Sequence, residues 1–93
     1  MMAVHELKIL SEFIQPQLEG KKNFEIRKND RNYQVGDTLV LKEYDPKTNN
    51  FTGINMLAEV TYITDYMQKD GYVVLGTKRF KLRIVDNQNI GGD

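Results

Sequence analysis

The chain has 93 residues, 40% of them hydrophobic, with 13 basic and 13 acidic side chains, a formal net charge of zero and no cysteine. That length gives one domain, residues 1–93, with a small core, and the missing thiols exclude disulfides and thiolate metal sites. With a single histidine, His5, neither a histidine-based metal centre nor a bound cofactor is expected. No apolar run approaches the roughly 20 residues of a membrane span. The start, "MMAVHELKIL", has neither a basic leader nor a long apolar stretch, so a cytoplasmic protein is expected.

Residues 5–10, "HELKIL", read as a short strand running into a helix. Ser11 suits the N-cap and Glu12 the first turn. Ile14 and Leu18 share a helix face, Leu10 can pack beneath it, and Phe13 broadens it. Pro16 removes a helical hydrogen bond, which predicts an irregular first turn or a kink. Gly20 fits the helix end, where a left-handed backbone is wanted.

After Gly20 the period changes from about 3.6 to 2. Phe24 and Ile26 point one way; Asn23, Glu25 and Arg27 point the other. Residues 28–37 read as a loop ending in a Gly36-Asp37 turn. Residues 38–44 form a strand, 45–55 a long polar hairpin connection, 57–64 an alternating strand and 65–71 a loop. Residues 72–85 hold two strands, or one long strand bent near Gly76. Residues 86–93 read as a frayed tail. The expected class is α+β, mostly β: five or six short strands closing into a small barrel, with one main helix after the first strand.

The zero net charge hides two basic segments. Residues 21–31 carry Lys21, Lys22, Arg27, Lys28 and Arg31 against Glu25 and Asp30. Residues 78–83, "KRFKLR", carry Lys78, Arg79, Lys81 and Arg83 with no acid. Together they could build one positive face.

Each candidate has a plain reading and a functional one. Glu25 and Arg27 share a strand face, which suits a solvent-facing ion pair of under ~1 kcal/mol. Equally, Arg27 could offer its planar fork to a phosphate or base edge while Glu25 orients it and accepts from a ligand. A carboxylate among cations is a good acceptor and a poor general acid. Lys21 and Lys22 suit a helix C-terminus, yet Lys22 can lean over the strand and meet an anion. Asn29 and Asp30 can cap the loop, while Lys28 and Arg31 can contact phosphates. Of the five tyrosines, Tyr33 follows the basic loop directly and is the candidate stacking platform. "KRFKLR" also reads as an edge strand whose cations block pairing.

The stretch "GKKNFEIR" resembles the G-x-K-x-x-E-x-R signature of ASCH domains, in the PUA-like superfamily, through Gly20, Lys22, Glu25 and Arg27. The wider run "LEGKKNFEIRKNDRNYQVGDTLVLKEYD", with "HELKIL" before it and "GYVVLG" after, is similar to small stand-alone ASCH-like proteins of bacteria and phages. The resemblance implies a small PUA-like barrel with a helix beside a cleft, the signature residues lining that cleft, and RNA binding. One branch of the family resembles amidohydrolases of N4-acetylcytidine that use a lysine, a threonine and a glutamate. Lys22 matches the lysine, Glu25 stands where the threonine would be, and Glu59 is the candidate for the glutamate.

The leading expectation is an RNA-binding module in which Lys22, Glu25, Arg27, Lys28, Arg31 and Tyr33 form the site. The alternative is an enzyme for a small nucleoside or nucleotide, with Lys22, Glu25 and Glu59 as catalytic candidates and His5 beside them; a lysine flanked by cations is a candidate base. A third reading is an interaction protein docking through an edge strand.

Overall fold

Strict alternation makes the first strand. In the computed structural model, which describes residues 2–80, β1 (Val4–Leu10) turns His5, Leu7 and Ile9 inward and leaves Glu6 and Lys8 outside. Helix α1 (Ser11–Leu18) follows at once. Its N-cap is Leu10, in extended conformation and with no capping side chain. Ser11, expected as the cap, is the first helical residue, and its hydroxyl reaches back to the Tyr44 carbonyl at 3.5 Å.

Pro16 sits inside α1 without ending it. Its carbonyl accepts the amides of both Lys21 and Lys22, at 2.9 and 3.1 Å, while Gly20 turns the chain at φ +75°. That wrap delivers Lys22 to the start of β2 (Phe24–Lys28).

β3 (Thr38–Asp45) and β4 (Asn50–Thr64) form a hairpin. The polar connection expected over 45–55 is only residues 46–49. Asn49 takes a left-handed φ of +56° and Asp45 caps the turn through the Lys47 amide, so pairing resumes at once. β5 (Tyr72–Arg79) runs through Gly76 without ending. The irregularity expected there lies in β4, between Val60 and Tyr62. A Cβ on Gly76 would come within 3.1 Å of Thr61 Oγ1 and 3.3 Å of Tyr62 Cβ, so the glycine makes room for the partner's bulge. The rest of the 72–85 segment from Lys81 onward, and the tail 86–93, lie outside the described residues.

The sheet order is β1-β3-β4-β5-β2. Only β1 and β3 are parallel; the crossover between them carries α1 and then β2, which pairs with β5 at the opposite edge. Ile14, Leu39, Leu41, Val60 and Leu75 are fully buried between α1 and the concave face. Each contributes about 1.5–3 kcal/mol relative to exposure.

The protein is thus mostly β with one short helix, as expected, but the five strands curl into a half-barrel rather than a ring closed by backbone pairing. Edge strand β1 is joined to β2 and to the segment after it by side chains. Arg27 Nη2 donates to the Lys8 carbonyl and Arg31 Nη1 to the Glu6 carbonyl, both at 3.0 Å. The two guanidinium groups satisfy acceptors that a closing ladder would have used. This seam positions the candidate site.

Candidate functional site

On β2 the polar face is the inner one. Glu25 is 4% exposed, whereas Phe24 is 41% and Ile26 53% exposed. Register explains it: Glu25 lies opposite Leu75 and Arg27 opposite Val73, both residues of the concave face. The solvent-facing ion pair is therefore excluded.

A buried carboxylate needs partners, and four donors supply them. Gln17 Nε2 and Lys22 Nζ each donate to Oε2 at 2.6 Å; Arg27 donates to Oε1 through Nε at 3.0 Å and Nη2 at 2.9 Å. Those bonds use the carboxylate's acceptor capacity. Glu25 thus orients Lys22 and Arg27, as expected, but it is not open to accept from a ligand, as had also been expected.

The donors are only partly spent. Lys22 also bonds the Phe24 carbonyl at 2.9 Å, leaving one ammonium N–H. The Nη1 of Arg27 has no partner among the described residues. Lys22 Nζ lies 4.8 Å from the centre of the Phe24 ring and 5.8 Å from that of Phe13. Phe13, expected on the core face, is instead 45% exposed and lines the cleft.

These groups border a cleft of about 480 Å³ lined by Lys8, Ile9, Leu10, Phe13, Lys22, Phe24, Glu25, Ile26 and Arg27. It combines aromatic and aliphatic walls with N–H donors. Its one carboxylate is fully engaged.

Other expected residues fall elsewhere. Lys28 and Arg31 line a smaller pocket next to the cleft, with Arg27 as the shared wall. Tyr33 lies there too, but it is no stacking platform: at 4% exposure its ring is packed edge-on against His5, 4.8 Å between centroids. His5 is not in the cleft. Its Nε2 meets buried Asp37 at 2.8 Å, and Asp37 also takes the amides of Ala3 and Gln34, pinning β1 to the turn before β3. Glu59 lies between Ala58 and Val60, which face the core, so it faces the opposite side, across the β4–β5 ladder from Lys78. It cannot join Lys22 and Glu25. Lys21 is exposed and pairs with Glu19 at 3.2 Å. Arg79 holds the Leu18 carbonyl at 2.8 Å and does not line the cleft; Lys81 and Arg83 lie outside the described residues.

Gln17 was not anticipated. It is 2% exposed and binds both Glu25 and the Phe24 carbonyl. Its signal was a polar side chain three residues after Ile14, beside Leu18, on the face α1 buries.

Among the described residues no group of three or more potential ligands could hold a metal ion, and no helix is long and apolar enough to cross a membrane.

Residues 4–77, which include every residue of the cleft and the smaller pocket, match the family described as a domain of unknown function, DUF3850. The chain belongs to that family. It is also 42% identical over 76 residues to a relative from Escherichia phage P2, the "Uncharacterized 12.9 kDa protein in GpA 3'region". That alignment covers 81% of this chain and 68% of the phage protein. The DUF3850 match and the phage relative thus both extend well beyond the signature segment.

Proposed function

We propose that this DUF3850 protein is a cytoplasmic, ASCH-like module of PUA-like type that recognises single-stranded RNA, with one base seated in the seam cleft. The observation that carries the reading is the saturation of Glu25. With its acceptors engaged, the site offers ligands N–H donors and aromatic faces but no unengaged carboxylate for acid–base work. Donor-rich, aromatic-walled surfaces suit phosphate oxygens, base carbonyls and ring faces. The cleft volume lies within the range of small-ligand sites.

A nucleoside-processing enzyme is the second reading, favoured by the same volume. It is the weaker one. Glu25 replaces the threonine of the amidohydrolase branch, Glu59 faces away, and the Thr77 hydroxyl lies 3.5 Å from Gln17 rather than in the cleft.

RNA titration at two salt concentrations tests the proposal. About four phosphate contacts on a single strand give a log–log slope of roughly −3. No binding at low salt overturns it, and turnover of N4-acetylcytidine would favour the enzyme.

A further inference from the structure

Arg27 also walls the second pocket, of about 160 Å³, with Leu7, Lys28, Asp30, Arg31 and Tyr33. Three cations meet there with one carboxylate, Asp30. Arg27 keeps only its Nη1 hydrogens for a ligand. Arg31 uses one N–H on the Glu6 carbonyl, and the Lys28 ammonium bonds no described residue. Buried Tyr33 is the telling group: its amide is bonded to Asn29, yet its hydroxyl has no hydrogen bond to any described residue. Buried phenols normally find a partner. Burial also raises the phenol above its ordinary value of 10.0, against the opposing pull of Arg27 and Arg31. At neutral pH it is therefore an O–H donor.

We propose that this pocket is a phosphate subsite, in which the Tyr33 hydroxyl and the Arg31 and Arg27 guanidinium groups donate to the non-bridging oxygens of a phosphate. Lys28 adds charge at the rim and Asp30 opposes it. The proposal rests on the nucleotide reading of the cleft, since Arg27 joins the two spaces and would lie between the base and its flanking phosphate. Tyr33 thereby changes role, from a face for stacking to a buried donor.

The test uses the full chain with three probes: inorganic phosphate, and one short single-stranded RNA with and without a 5′-phosphate. Anisotropy reads RNA affinity; amide and arginine Nε resonances read phosphate binding. Tyr33→Phe keeps the ring and removes only the oxygen. We expect it to weaken RNA binding about tenfold, the loss of a hydrogen bond to a charged group, without lowering the urea midpoint. Asp30→Asn should tighten binding several-fold. Phe24→Ala should weaken RNA binding and leave inorganic phosphate binding unchanged. Equal sensitivity of both RNAs to Tyr33→Phe assigns an internal phosphodiester; sensitivity of the phosphorylated RNA alone assigns a terminal phosphate. RNA that binds Tyr33→Phe and Arg31→Gln as it binds wild type overturns the subsite and leaves the cleft reading standing. Phosphate binding that depends on Tyr33, with no RNA binding at low salt, upholds the subsite and removes the cleft reading. Phosphate bound equally by wild type and Tyr33→Phe is an adventitious ion only and overturns the subsite.

Discussion

Arg27 grips Glu25 through both Nε and Nη2, at 3.0 and 2.9 Å, and the same Nη2 crosses the seam to the Lys8 carbonyl. One guanidinium thus neutralises a buried acid and ties two strand edges together. Its planar fork permits both contacts; an ammonium would not reproduce the geometry.

Arg27→Met should therefore lower the unfolding free energy by about 3 kcal/mol, because it removes both donors to Glu25 Oε1 and leaves the buried carboxylate with Lys22 and Gln17 alone. Adding Glu25→Gln should recover part of that loss. Urea unfolding of both single variants and the double variant reads the coupling, expected to exceed about 1 kcal/mol. Strict additivity would contradict the arrangement.

Phe13 and Phe24 are the variants that separate binding from folding, since both rings are substantially exposed. Each alanine substitution should cost about 1–3 kcal/mol in RNA affinity and leave the salt slope unchanged. Lys28→Ala should instead reduce the slope by about 0.7. Affinity and slope from one titration series distinguish stacking from charge.

Acid should attack the His5–Asp37 pairing. Burial pushes the Asp37 carboxyl up, but the Ala3 amide, His5 and the Gln34 amide together outweigh it, leaving it below the ordinary 3.8. A depressed folded value means the stabilisation is present above pH 3.8 and is lost as pH falls through that lower value. Asp37→Asn should flatten the part of the acid limb that lies below pH 3.8 in urea unfolding. An unchanged limb would show that other carboxylates govern it.

Base should act on Tyr33 in the opposite sense. Its folded value lies above 10.0, so its contribution is intact below that pH and is lost as pH rises through the raised value. Ultraviolet titration should show a phenol that ionises above 10.0 in wild type and is missing from Tyr33→Phe. An unchanged titration above that pH would refute the assignment.

Gly20 tests the wrap that delivers Lys22. A Cβ there meets nothing within 4 Å, so Gly20→Ala should cost only the left-handed backbone, about 1–2 kcal/mol. Thermal or urea unfolding measures it. A neutral result would mean that the turn relaxes.

Local chemistry made much of this legible. Alternation in "HELKIL" located β1, Gly20 marked the helix end, and the shared face of Glu25 and Arg27 followed from a period of two. Hairpin length was not legible, because Asn49 turns the chain where composition suggests a loop.

Side-chain direction relative to the core was not legible. On β2 the more hydrophobic face, Phe24 and Ile26, is the exposed one, because Gln17, Lys22 and Arg27 together make burial of Glu25 tolerable. Those partners come from a helix, a turn and the strand itself, and nothing local says that they converge. Tyr33 and Glu59 went astray for the same reason: one was placed inside and the other on the far face by strand pairings distant in sequence.

The sequence by itself determined a small, mostly β chain with one helix, and the residue types of the G-x-K-x-x-E-x-R segment, since these depend on period, turn chemistry and identity. Only the tertiary structure decided that the half-barrel leaves a seam, that Glu25 is buried and saturated, and that a phenol shares a pocket with three cations. Those are consequences of pairing order and register, which bring together groups far apart along the chain.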